Sequence, residues 1–171
     1  MISLDSVKFA DGAYTLALPL KWIVEIEQKC GARGEDGVLR PKSIYTIHAE
    51  LEAGLGITPD ETPAYLGGGA ARPSDIREVL RCALIGGGFG MVAEEEIKVG
   101  PHKAVELVDT YLPNPVTGWV EGQHLAWAVL NATIRGPQLK KKAEPPAESP
   151  DHSSEDSSSP TAGNSGSTGS E

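Results

Sequence analysis

The sequence predicts an α+β fold: an N-terminal β-hairpin packed on a mostly helical domain of about five helices, followed by a disordered C-terminal tail. Three observations carry this. Apolar residues alternate with polar ones on both sides of Asp11-Gly12, a dipeptide that suits a tight hairpin turn. Five later stretches repeat apolar residues every three or four positions, most of them entered at proline or serine and left at glycine or proline. After Leu139 no large apolar residue remains, so residues 137–171 cannot bury enough surface to offset the entropy of ordering. The expected division is a domain over residues 1–136 and an acidic Ser/Pro/Gly-rich tail over 137–171.

In the hairpin, Ile2, Leu4, Val7 and Phe9 alternate on the first strand and Tyr14, Leu16 and Leu18 on the second. A lone hairpin is marginal in water, so its apolar face needs helices to pack on. The first helix follows Pro19, with Trp22, Ile23, Ile26 and Cys30 on one face, and stops at Gly31. The second is capped by Ser43 and buries Ile44, Ile47 and Leu51. The third, residues 74–85, has the strongest pattern: Ile76, Val79, Leu80, Ala83 and Leu84 form one face. Asp75 and Glu78 stand at capping-box spacing, and Arg77 and Arg81 are assigned to the outer side. Gly86, Gly87 and Gly88 are expected to stop this helix and act as a flexible connector. Met91 to Lys98, with Glu94, Glu95 and Glu96, reads as an exposed segment. The fourth helix spans residues 101–112 and the fifth residues 116–134. Residues 31–41 and 57–72 read as loops.

The net charge of −9 divides into −6 for residues 1–136 (12 Lys and Arg against 18 Asp and Glu) and −3 for the tail (3 against 6). An acidic chain without a basic stripe repels a phosphate backbone, which excludes nucleic acid as a partner class. Two cysteines far apart in sequence read as reduced thiols rather than a disulfide framework. No apolar run approaches the ~20 residues that span a bilayer, and Met1 to Phe9 lacks the pattern of a signal peptide. These features point to the cytoplasm.

No catalytic, cofactor or metal site emerges. The glycine-rich stretch of residues 86–90 follows a helix, whereas a phosphate-binding loop precedes one and carries Lys-Ser or Lys-Thr. The four histidines have no metal-ligand spacing to one another or to a cysteine. Glu94, Glu95 and Glu96 are consecutive and point in several directions, as in a solvated segment. Trp119 lies near the start of the fifth helix and off its apolar line, so it is a candidate anchor for a partner.

The order of pieces KWIVEIEQKCG (which contains Glu27), SIYTIHAELEAGLG, DIREVLRCALIGGG and VELVDTYLPNPVTGWVEGQHLAWAVLNATIRG resembles the gene-transfer-agent family of small phage tail proteins. The resemblance covers about residues 2–136, and members have been described as tail tube proteins and as tail assembly chaperones. It implies a non-enzymatic chaperone, encoded in a phage or prophage tail operon, that binds the tape-measure protein and other tail proteins during morphogenesis in the host cytoplasm. The alternative is a structural tail tube or tail terminator subunit, resident in the virion tail and forming homo-oligomeric rings. A tube subunit calls for long strands, which this chain does not offer, so the chaperone is preferred. Under that reading the partner surface falls around Trp119, the connector of Gly86, Gly87, Gly88 and Phe89, and the outer helix face with Arg77 and Arg81. The Lys140–Lys142 run fits a site where ribosomal frameshifting would generate an extended form.

Overall fold

In the computed structural model, residues 2–60 and 62–136 are described. The tail and its Lys140–Lys142 run lie outside the described residues. The chain order is β1 (Ser3–Phe9), β2 (Gly12–Ala17), α1 (Leu20–Lys29), β3 (Ala32–Arg33), β4 (Leu39–Arg40), α2 (Ile44–Glu52), β5 (Leu55–Ile57), β6 (Pro63–Tyr65), α3 (Pro73–Gly87), β7 (Phe89–Val92), β8 (Glu95–Lys98), α4 (Pro101–Tyr111) and α5 (Val120–Arg135). The α+β class and the five helices agree with the sequence reading.

The N-terminal hairpin is half of a larger sheet. Four antiparallel strands run in the order β1-β2-β7-β8. Tyr14 of β2 sits opposite Gly90 of β7, and Met91 opposite Glu96 of β8. Residues 91–98 therefore form most of a second hairpin, and the segment is largely exposed, as the sequence suggests. Its turn is built by Ala93 and Glu94, both at positive φ, so the usual Asn-Gly or Asp-Gly signal is missing. Two smaller hairpins, β3–β4 and β5–β6, occupy the stretches read as loops.

Helix α3 runs through the middle of the domain and packs on β2, α1, α4 and α5. Its buried residues include Asp75, Glu78 and Arg81 as well as Ile76, Val79, Leu80, Cys82, Ala83 and Leu84. A helix buried on nearly every side explains why its polar residues are paired internally. Tyr14, Leu16 and Leu18 of the first hairpin, Ile26 of α1, Ile47 and Leu51 of α2, Leu107 and Val108 of α4, and Leu130 of α5 complete one core.

Helix starts depart from expectation in two places. Residue Arg72 is the N-cap of α3, with Pro73 at the first position and no side-chain cap. Asp75 instead accepts from Arg72 and Lys42, and Glu78 from Arg81, so the capping-box pairing does not form. Helix α5 begins at Val120, because Asn114 first folds a turn by accepting the Val116 and Thr117 N–H groups at 2.8 and 3.2 Å. Helix α2 is capped twice: Ser43 accepts from Tyr45 N–H, and Glu27 of α1 accepts from Ile44 N–H at 2.8 Å. Gln123 Nε2 closes the other end by donating to Leu51 O at 2.9 Å. These two bonds fix α2 between α1 and α5.

Candidate functional site

The glycines at the end of α3 form a packing seam. Gly86 and Gly87 are helical, and only Gly88, at φ +79, ends the helix. A Cβ on Gly87 would collide with the Thr15 carbonyl, and one on Gly86 with the Ala17 carbonyl. Only glycine lets α3 lie this close to β2. Gly88 O accepts from Val99 N–H at 2.8 Å, which ties the turn to the end of β8. The flexible connector expected at residues 86–90 is thus a fixed helix–sheet contact. Phe89, the first residue of β7, keeps an exposed ring.

Arg77 and Arg81 do not share an outer face. Arg77 is partly exposed and makes a bidentate pair with Asp109 of α4, at 2.6 and 2.8 Å. Arg81 is buried and donates to Glu78 and Glu25, which corrects its assignment to the outer side. The reason is the surroundings of α3: α1 covers the flank that periodicity alone leaves to solvent. Lys29 lies 2.8 Å from Glu25 and 3.3 Å from Glu78, completing the cluster. One turn earlier, Lys42 bridges Glu50 and Asp75 at 2.6 and 3.1 Å, and Arg72 braces Asp75 against the Cys30 carbonyl. Burial opposes ionisation of Glu78, but the Arg81 hydrogen bond and the Arg81 and Lys29 charges outweigh it and hold its pKa below the usual value. The hydrogen bond from Lys29, with Arg81 adding to it, lowers Glu25 likewise.

Glu25, Glu78 and Cys82 place one potential ligand atom each within 4.8 Å of one another. The arrangement does not fit a metal. The Arg81 guanidinium already supplies the positive charge between both carboxylates and reaches Cys82 Sγ at 3.3 Å. Burial also pushes the Cys82 thiol up to about 12, so in this environment it is protonated near neutrality. Cys30 is pushed up to about 12 by burial as well.

The surface around Trp119 has a different character. The β5–β6 hairpin lies against α5 and exposes Ile57, Tyr65 and Leu66, with relative exposures of 67%, 54% and 73%. A groove opens on each side. The first, about 290 Å³, is lined by Tyr65, Gly69, Ala71, Pro73, Ile76, Trp119, Val120 and Gln123. The second, about 180 Å³, is lined by Glu52, Leu55, Gly56, Ile57, His124 and Trp127. Trp119 and Trp127 pack on the core through part of their surface and offer the rest to these grooves. The His48 and His124 rings lie 6.2 and 5.9 Å from that of Trp127. His48 Nε2, Trp127 Nε1 and Asn131 Oδ1 are buried without a hydrogen-bond partner among the described residues.

A larger cavity of about 430 Å³ lies between the β1–β2 turn and the segment joining α4 to α5. Three of its polar side chains are engaged: Asp11 accepts from Tyr14 Oη at 2.5 Å, and Asn114 Nδ2 donates to Glu121 at 2.7 Å. Among the sequence-predicted residues, then, Trp119 alone borders an apolar groove, while Arg77, Arg81, Gly86, Gly87 and Gly88 serve internal contacts and Phe89 stands on the separate sheet surface. The missed residues, Ile57, Tyr65, Leu66 and Trp127, come mostly from a stretch too short and irregular for periodicity to mark. No family model, curated protein or solved structure matches the chain. Among the described residues, no helix is long and apolar enough to cross a membrane.

Proposed function

We propose that the chain is a non-enzymatic phage tail assembly chaperone that holds a helical segment of the tape-measure protein during tail morphogenesis. The observation that carries this reading is the exposure of three large apolar side chains, Ile57, Tyr65 and Leu66, on and beside the β5–β6 hairpin, next to two grooves lined in part by Trp119 and Trp127. Exposed apolar side chains beside aromatic-lined grooves suit an amphipathic helix laid into a groove. Two further facts favour it over the tube alternative. The described residues are 46% helical and 23% strand, and the longest strand has seven residues. A subunit that lines a tube by closing strands into a barrel needs longer ones. A non-enzymatic role also agrees with the charged clusters being neutralised internally and the thiols being held protonated.

The ring-forming alternative draws support from one observation. The sheet leaves β1 and β8 as edge strands, and an unpaired edge can add a strand from a neighbouring copy.

The test is to look beside this gene for a long, helix-rich reading frame of the tape-measure type and to measure co-purification with its product. Tyr65→Ser with Leu66→Ser is expected to abolish co-purification while far-UV circular dichroism is unchanged. Retention by the double variant, or no co-purification by the wild type, overturns the proposal. A stable ring in sedimentation velocity would replace it with the tube or terminator reading.

A further inference from the structure

Buried polar atoms are normally paired, yet three orphans gather where α2 meets α5: His48 Nε2, Trp127 Nε1 and Asn131 Oδ1, unpartnered among the described residues. Trp127, Asn131 and Arg135 follow one another at intervals of four and so lie on one face of α5. That face meets α2, since the Trp127 ring is 6.2 Å from that of His48 and Arg135 Nη2 is 4.0 Å from Glu52. His48 and Glu52 are one turn apart on α2, which places Asn131 between Trp127 and Arg135 and across from both. The three orphans are chemically complementary. Trp127 Nε1 only donates, Asn131 Oδ1 only accepts, and His48 Nε2 does either according to its protonation. His48 is 7% exposed, and its other ring nitrogen, Nδ1, is 3.9 Å from Glu52 Oε2. A carboxylate on that side favours a proton on Nδ1, which leaves Nε2 of the neutral ring a bare acceptor.

We infer that His48 is a proton-controlled selector between two partners on α5: neutral, its Nε2 accepts from Trp127 Nε1–H, and charged, its Nε2–H donates to Asn131 Oδ1 and releases the indole. The proton comes from solvent and rests on Nε2, where the donor-only indole can no longer pair. Histidine is the side chain whose ordinary charge change falls between pH 5 and 8, so the exchange belongs to that range. Four groups bear on it among the described residues. Glu52 favours the charged ring, and Arg135 beside Glu52 opposes it. His124, whose ring is 5.9 Å from that of Trp127, adds a second positive charge to the same contact when protonated. The β5 residues that share the Trp127 groove, Leu55, Gly56 and Ile57, carry no titratable side chain. Trp127 is a wall of that groove, so the state of His48 sets the position of one wall. The inference goes beyond the docking proposal and needs no partner to be bound.

The test is nuclear magnetic resonance of the full chain labelled with nitrogen-15 in tryptophan and histidine, titrated from about pH 8 to about pH 5.5. The Trp127 indole signal is identified by its loss in Trp127→Phe, and circular dichroism confirms the fold of each variant at both ends of the titration. The Trp127 indole proton is expected to move upfield as pH falls, because it loses its acceptor, and to follow the same curve as the His48 ring. At the alkaline end the His48 nitrogens should report a proton on Nδ1 and a bare Nε2. His48→Gln should abolish the movement and His124→Gln should leave it. Asn131→Leu removes the acceptor of the charged ring and should carry the transition to lower pH. An indole signal that does not move, or the opposite His48 tautomer at the alkaline end, overturns the inference without recourse to any variant. So does a movement that survives His48→Gln, one that His124→Gln removes, or a transition that Asn131→Leu leaves in place. A bound water in contact with the indole proton at both ends of the titration would also overturn it, by naming solvent as the partner.

Discussion

Replacing Gly87 by alanine tests whether the end of α3 is a hinge or a fixed seam. An added Cβ would meet the Thr15 carbonyl carbon and oxygen and approach Leu16 N to 3.2 Å. All three are backbone atoms of β2, held by pairing with β1 at Leu16 and with β7 at Tyr14, so none can swing away as a side-chain tip would. Overpacking of this kind costs about 1–3 kcal/mol, and the rigid neighbour favours the upper part of that range. Alanine returns roughly 0.5–1 kcal/mol through its better helix propensity. The net loss is about 2 kcal/mol, which at roughly 4 °C per kcal/mol for a domain of this size lowers Tm by about 8 °C. Gly100→Ala is the control: nothing lies within 4 Å of its Cβ position and its φ is −91, so the only cost is a poorer N-cap for α4, and Tm should fall by less than half as much as for Gly87→Ala. Differential scanning calorimetry at pH 7 decides. A Gly87→Ala protein as stable as the wild type would refute the seam and restore a mobile connector.

Two further outcomes follow from the buried groups. The folded-state pKa of Glu78 lies below its unfolded value, so its ionisation adds stability above the unfolded pKa, near 4.5, and that stability is lost as pH falls through the folded pKa. Glu78→Gln should therefore lower the urea midpoint at pH 7, by roughly 1–3 kcal/mol in stability, and flatten its fall between pH 5 and pH 3; an acid slope equal to that of the wild type would show that the pairing with Arg81 contributes nothing. Cys30 and Cys82 are pushed up to about 12 by burial, so both should resist a thiol reagent at pH 8 in the folded protein and react fully in urea; rapid modification of either without denaturant would place a thiol at the surface.

Much of the architecture was legible because it rests on local signals. The five helices follow from apolar spacing, and Asp11-Gly12 marked the first hairpin. The second hairpin was hidden because Glu94, Glu95 and Glu96 mask its alternation and Ala93-Glu94 gives no glycine at the turn. Arg81 was misplaced because helical periodicity reports one apolar face, whereas α3 is enclosed by four neighbours that come from distant parts of the chain. Gly86 and Gly87 resemble a helix stop in sequence, and only the approach of β2 shows why glycine is needed inside the helix. At the candidate surface Trp119 stood out by its offset from the apolar line. Ile57, Tyr65 and Leu66 did not, since a three-residue strand pairing across a short loop leaves no repeat to detect.

The junction of Tyr14 with Gly90 also sets an order of events at the ribosome. The first hairpin is complete once residue 17 has emerged, but β2 keeps an unpaired edge until β7 arrives. At about 5–20 residues per second that wait lasts roughly 4–15 seconds. Helix α3 ends at Gly87 and β7 starts at Phe89, so the helix that covers β2 and the strand that pairs with it are delivered almost together. Until then the first two strands lack the helix their apolar face packs on, and a lone hairpin is marginal in water. The closing of the sheet is therefore a single late step, and a pause in translation before residue 92 would prolong the interval in which β2 can be captured by another chain.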